Sequence, residues 1–245
     1  MSRLLRVFVP EDQSPADGIF TIGGEEARHL LKVLRVEVGR QVEVLNGKGL
    51  VWLAKVNEVS ARSIVLKIEE IRETPQPAIA FEVAMALPKA GRMEETVRQL
   101  TELGVSRITP LLTERGEVGK LKDRIEGKLD KWNRIAVQAT KQSGNPWLPT
   151  IREPVPFKHW CEGFPEDSYR LFGSLSPEAC PISSLSQSAI KSVCIGIGPE
   201  GGFSENEEGH ALAFGFVPVR LGPHVLRIET AAVCALAVAQ EVFAV

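Results

Sequence analysis

The 245-residue chain carries 44% hydrophobic and 24% charged residues and a formal net charge of -2, an ordinary globular balance that excludes a disordered or fibrous protein. Near-neutrality by itself points to no nucleic-acid partner, and the surplus of positive charge, from Arg107 to Lys141, reads first as a solvated helix face. The opening "MSRLLRVFVPEDQ" lacks the apolar centre of a secretion signal, and no stretch reaches the roughly 20 apolar residues of a membrane span.

Cys161, Cys180, Cys194 and Cys234 stand far apart, which fits free thiols in a reducing, cytoplasmic setting. No CxxC, HExxH or GxSxG occurs, so neither a metal site nor a serine-hydrolase elbow is expected. In chain order, "RVFV" and "GIFTI" read as strands and "EEARHLLKVLR" as a short helix, with His29 expected to pack inside the domain. Residues 41–72 alternate β-branched and polar side chains around Asn46-Gly47, a pair suited to a type I′ hairpin turn. A small closed β-domain over residues 1–74 follows, and the prolines of "ETPQPAI" mark the boundary to a second domain, 75–245.

Beyond that boundary the period changes. "AIAFEVAMAL" is nearly continuous in apolar residues, as a strand covered on both faces is. "GRMEETVRQLTEL" places Met93, Val97, Leu100 and Leu103 at helical spacing, with Gly104 as its left-handed stop. After the strand "VSRITPLL", residues Ile125, Leu129, Trp132, Ile135 and Ala139 form one helical stripe that ends at Gly144. "YRLFGSL", "KSVCIGIG" and "VPVRLG" are further buried strands, so the domain is α/β with a mostly parallel sheet and helices on both faces. Ligands of such sheets sit at the carboxyl ends of strands, which here carry the loops "GSLSP", "GPEGG" and "LGPHVLR".

The "GPEGG" loop is a poor phosphate cradle. Ser204 and Glu207 form a capping box that occupies the following helix start. Glu200 adds repulsion of about 4 kcal/mol for a unit anion at 4 Å and an effective dielectric near 20. Two readings stand on this loop alone. One is a structural turn whose glycines meet dihedral needs; the other is a site for a nucleoside attached to a cation, a description met by S-adenosylmethionine.

The pair "GPEGGFSENE" and "LGPHVLRIETA" closely resembles the signature of the RsmE-type methyltransferases, bacterial SPOUT-class enzymes that methylate N3 of a uridine in small-subunit ribosomal RNA. "HLLKVLRVEVG" and "LPKAGRMEETVRQLTELGVSRITPLLTERG" extend the resemblance over nearly the whole chain. It implies a PUA-like β-barrel followed by a SPOUT α/β domain with a carboxyl-terminal trefoil knot, a homodimer, and small-subunit ribosomal RNA or the assembled subunit as substrate. The S-adenosylmethionine site it implies comprises Gly198, Pro199, Glu200, Gly201 and Gly202, then Leu221, Gly222, Leu226 and Arg227, with Leu175 from the third loop.

Uracil N3 must lose a proton before it can attack a methyl group, and the charge spreads over the ring oxygens. In that scheme Arg92 and Arg115 hold the uridine and stabilise its anion. Arg6 and Lys89 contact RNA, and Glu200 shapes the loop or accepts the proton. The chain departs from the family in having Asn145-Pro146 where an arginine usually follows "QSG". An inactive knotted assembly factor, or an enzyme acting on another RNA, shares most of these features.

Overall fold

The computed structural model describes residues 5–10, 15–88, 92–116, 125–186 and 189–244. The chain divides into two units: residues up to Gln76 together with Thr140–Leu148, and Pro77–Ala139 with Pro149–Val245.

The first unit contains β1 (Leu5–Phe8), β2 (Ile19–Ile22), α1 (Gly24–Lys32), β3 (Gln41–Leu45), β4 (Leu50–Val59) and β5 (Ile64–Glu73) in one sheet of order β1-β3-β4-β5-β2. Alternation puts Val42, Val44, Trp52, Ala54, Val56, Ile64 and Leu66 on one face, where they join Val7, Phe20, Ile22 and Leu30 in a single core. All five strands thus enclose one interior. Two register shifts between β4 and β5 give the sheet the local bends such wrapping requires. β1 joins β3 in parallel, a non-local pairing that no turn signal announces.

Two expectations are corrected here. The Asn46 reversal is not a two-residue type I′ turn: it spans 46–49, with the Asn46 side chain accepting from the Lys48 and Leu50 amides and only Gly47 and Gly49 in the left-handed region. His29 is exposed on α1 rather than packed, because Ala27 and Leu30 are the residues that face the core.

Segment 140–148 is tied to this unit by specific bonds. The Arg6 guanidinium pairs with Glu43 at 2.8 Å and donates to the carbonyls of Lys141 and Gln142. Gly144 is required beneath it, since a Cβ there would lie 2.7 Å from Arg6 Cζ. Lys141 pairs with Glu26 at 2.9 Å, and the Asn145 side chain accepts from the Trp147 amide, so the residue that departs from the family pattern builds a local turn.

The second unit is built on β6 (Ala80–Ala86), α2 (Arg92–Glu102), β7 (Arg107–Leu112), α3 (Ile125–Ser143, its last turn in the first unit), and the two-residue strands β8 (Thr150–Ile151) and β9 (Val155–Pro156). It continues with α4 (Phe157–Cys161), β10 (Ser168–Gly173), β11 (Cys180–Pro181), β12 (Ser192–Ile197), α5 (Glu205–Ala213), β13 (Val217–Arg220) and α6 (Ile228–Phe243). The sheet runs β11-β13-β10-β12-β6-β7-β8, with β9 also on β7, and every recorded pair is parallel. Gly104 and Gly144 take positive φ after their helices, as their positions require.

The sheet is covered on both faces, which explains the unbroken apolar strands. Ala84, Phe172 and Cys194 meet Phe157 and Trp160 of α4 on one side, while α6 packs on β6, β12 and α2. Among the described residues no helix is long and apolar enough to cross a membrane.

Candidate active site

β10, β12 and β13 are neighbours in the order β13-β10-β12, and their carboxyl ends open on a cavity of about 830 Å³. Three loops form its rim. Leu175 comes from the loop after β10; Gly198, Pro199, Glu200 and Gly202 come from the loop after β12; Leu221, Gly222 and Leu226 come from the loop after β13. Eight of the ten residues expected to hold a cofactor therefore share one cavity wall. Gly201 and Arg227 do not line it: Gly201 turns its carbonyl outward, and Arg227 is the exposed N-cap of α6.

The "GPEGG" loop is a tight turn held by backbone. The Gly202 amide donates to the Pro199 carbonyl at 2.8 Å, and Gly202 has φ +70°. A Cβ on Gly198 would stand 3.1 Å from both the Phe203 ring and the Phe203 amide. The capping box closes α5 as expected: Ser204 Oγ accepts from the Glu207 amide at 3.1 Å and Glu207 Oε2 from the Ser204 amide at 2.9 Å.

Glu207 has a second task that its spacing does not reveal. Its Oε1 accepts from the Glu114 amide at 2.9 Å, tying the segment after β7 to the start of α5. From the same segment, Arg115 Nη1 donates to the carbonyls of Gly201 at 2.7 Å and Phe203 at 3.1 Å. The β7 loop and the glycine loop are thus clasped from both directions. Glu114 is held below the usual carboxylate range by a hydrogen bond from Ser204, with the Lys158 ammonium and the Arg115 charge assisting.

Arg115 is engaged with the loop rather than directed into the cavity, and Arg92, at the start of α2, is ion-paired with Glu229 at the start of α6. Arg6 is committed within the first unit as described, and Lys89 lies outside the described residues. Arg115→Ala is expected to weaken binding at the cavity by about tenfold, because the charged donor serves two carbonyls but works in water at an exposed position, ~1–2 kcal/mol. Isothermal calorimetry with S-adenosylmethionine or its demethylated product reads this directly.

The wall also includes the basic Arg220 and the imidazole of His224, the apolar Ile182, Ile197 and Val219, and Ala231, Cys234 and Val238 on one face of α6. Helical spacing makes that face visible in the sequence, but nothing local says what it faces. The cysteines divide sharply by position. Burial pushes the Cys161 thiol up to about 12, with the nearby Glu162 and Glu207 charges adding to it, and burial raises Cys194 likewise. Iodoacetamide at mildly alkaline pH is therefore expected to spare both, because the thiolate is the nucleophile. Alkylation of Cys234 should slow when the cavity is filled, and peptide mass mapping with and without S-adenosylhomocysteine measures it. Among the described residues no group of three or more His, Cys, Asp and Glu is placed to hold a metal ion.

This geometry defines a nucleoside-sized cleft at the strand ends of a parallel α/β domain, joined to a small β-domain. A family model described as RNA methyltransferase domain matches residues 74–240, and one described as RNA methyltransferase PUA domain matches 22–69. The chain belongs to this RNA methyltransferase family, with the PUA-like and SPOUT-type architecture that goes with it. It is 36% identical to the ribosomal RNA small subunit methyltransferase E of Synechocystis sp., over 89% of this chain and 71% of that one. To the protein of the same name from Bacillus subtilis it is 30% identical, over 89% and 88%. A crystal structure of the Neisseria gonorrhoeae enzyme of that name, bound to S-adenosyl methionine, superposes with a TM-score of 0.88 at 27% identity, covering 98% of each chain.

Proposed function

We propose that this protein methylates N3 of a uridine in small-subunit (16S) ribosomal RNA, using S-adenosylmethionine. The observation that carries the reading is the cavity of about 830 Å³ bounded by "GPEGG" and "LGPHVL", large enough for a nucleoside and walled mainly by apolar side chains and loop backbone, as a ligand without phosphate requires. The named relatives and the ligand of the Neisseria structure support the same choice. The residues present fit S-adenosylmethionine: apolar walls from Ile182, Ile197 and Val219 suit an adenine, loop amides suit its edge, and Glu200 suits a sulfonium. When bound, that group supplies an electrophilic methyl.

The chain's own residues orient, exclude water and receive a proton. Arg115 and Glu207 hold the loop in shape. Arg92, steadied by Glu229, is the cation assigned to the charge that develops on the uracil oxygens. Glu200 is exposed at the cavity edge, and the loop is already held by backbone bonds and by Arg115, so its carboxylate is not needed for shape and is assigned the N3 proton. Glu200→Gln is expected to cut turnover by about 100-fold or more, with cofactor affinity changed by less; retained turnover would return Glu200 to a structural part.

The reading includes a homodimer, a cytoplasmic site of action and a threaded carboxyl terminus. β13 lies in the sheet between β10 and β11, which residues 174–179 join directly, an order that supports the threaded reading. Exposed Leu175, Val225 and Val238 at the cavity edge offer an apolar rim to a second copy. The reaction is tested by labelled methyl transfer to small ribosomal subunits from a strain lacking the activity, followed by nucleoside analysis. Label in 3-methyluridine is expected; label in another nucleoside, or none, overturns the proposal.

A further inference from the structure

Two basic side chains on the cavity wall have no part in the chemistry assigned to Glu200, Arg92 and Arg115. β13 ends in Arg220, and His224 follows in the loop that leads to α6; both line the cavity. Both are exposed, and neither makes an ion pair or a side-chain hydrogen bond among the described residues. By contrast Arg6, Arg92, Arg98 and Arg107 are each held by a carboxylate, and Arg115 and Arg170 by backbone carbonyls.

The sheet fixes where these groups stand relative to the acid of the same cavity. Glu200, in the loop after β12, is the single carboxylate on the wall among the described residues. Between β12 and β13 lies β10, whose loop contributes Ser174, Leu175 and Ser176. Adjacent strands are about 4.8 Å apart, so the strand ends that lead to Glu200 and to Arg220 are separated by about 10 Å. The cavity is therefore bipolar, with an acid at one end and a guanidinium and an imidazole at the other.

That division selects its ligand. A neutral nucleoside uses neither end, and a phosphate of the RNA substrate carries no cation to satisfy Glu200. A molecule with a cation and a carboxylate on one short carbon chain satisfies both, and S-adenosylmethionine is built that way. The planar guanidinium matches a carboxylate with two parallel N–H donors, and the imidazole offers an N–H in either protonation state. We propose that Arg220 and His224 hold the carboxylate of the cofactor's amino-acid tail, and so make the protein selective for S-adenosyl amino acids over adenosine derivatives that lack this group. The assignment rests on the methyltransferase reading for the identity of the ligand. A tail anchored two strands away from the glycine loop also limits how the sulfonium can turn, so the same contacts orient the methyl group.

Calorimetric titration of the full chain with S-adenosylmethionine and with its decarboxylated form isolates the carboxylate, because the second compound keeps the adenosine, the sulfonium and the ammonium. The unaltered protein is expected to bind the decarboxylated form about tenfold more weakly, the loss of one charge-assisted contact at an open site. Arg220→Gln/His224→Gln should bind S-adenosylmethionine about tenfold more weakly and the decarboxylated form as before, so that the difference between the two ligands disappears. Unchanged affinity for the decarboxylated form certifies the fold of the variant. Arg152→Gln removes an exposed cation next to β8, at the opposite edge of the sheet, and should leave both affinities as they are. A ratio that persists in the double variant, equal binding of the two ligands by the unaltered protein, or an equal loss in Arg152→Gln overturns the carboxylate site and leaves the methyltransferase reading in place. So does loss of binding to a uridine-rich oligonucleotide by the double variant with S-adenosylmethionine affinity intact, which would assign the two side chains to an RNA phosphate. If the unaltered protein binds neither ligand, the methyltransferase reading falls and the carboxylate site falls with it.

Discussion

Gly202→Val is expected to lower S-adenosylmethionine affinity at least about 100-fold, which is ~2.7 kcal/mol, while leaving the fold intact. Two independent costs add. The backbone at Gly202 has φ +70°, where a β-branched residue is a genuine outlier; the strain is about 1–3 kcal/mol, and the turn would relax to escape it. The Gly202 amide would then lose its bond to the Pro199 carbonyl, and with it the curvature that places Pro199 and Glu200 on the cavity wall. The second cost is space. A Cβ at Gly202 stands 3.8 Å from Leu175 Cδ1, so valine methyl groups would fill the gap between two rims of the cavity. Calorimetric titration reads the affinity, and thermal unfolding, changed by little because the turn is at the surface, certifies the fold. Wild-type affinity would mean that the ligand lies elsewhere than between these loops.

Gly202 and Glu207 mark what the sequence discloses and what it conceals. A positive-φ glycine, a capping box and a glycine helix stop are local: each is complete within a few residues, so Gly104, Gly144, Ser204 and Glu207 stand where spacing puts them. The strand-end position of the three loops follows from the α/β pattern, and the motifs then gather Leu175, Gly198 and Leu221 around one cavity. Concealed features are those whose partner is a main-chain group or a distant segment. Arg6 and Arg115 are bonded to carbonyls, which every residue has, so no residue type announces them. The same holds for the return of 140–148 to the first unit and for the parallel pairing of β1 with β3, where contacts span about a hundred residues or depend on no turn. His29 is legible as helical but not as exposed, because the apolar residues Leu30, Leu31, Val33 and Leu34 run on past the end of α1 and blur which face the helix buries.

The deepest of these hidden contacts carries the largest expected effect on stability. Glu82 lies in the middle of β6 and is 5% exposed, inside a strand whose apolar neighbours give no reason for a carboxylate. Its Oε1 accepts from Thr109 Oγ1 at 2.6 Å and from Trp160 Nε1 at 2.8 Å, and its Oε2 from Arg107 at 3.0 Å. One side chain thereby joins β6, β7 and α4 through three donors, two of them buried. Glu82→Ala removes the acceptor common to all three and leaves the tryptophan and threonine donors dry, a loss of about 3–5 kcal/mol. For a unit of this size that lowers the thermal midpoint by roughly 10 °C. Glu82→Gln keeps the shape and one oxygen acceptor, and its amide nitrogen cannot accept from any of the three donors, so it should fall between, at ~1–2 kcal/mol. The ordering alanine below glutamine below wild type separates a lost hydrogen-bond hub from a simple cavity. Equal midpoints for the alanine and wild-type chains would mean that α4 is held on the sheet by Phe157, Phe203 and Phe172 packing alone.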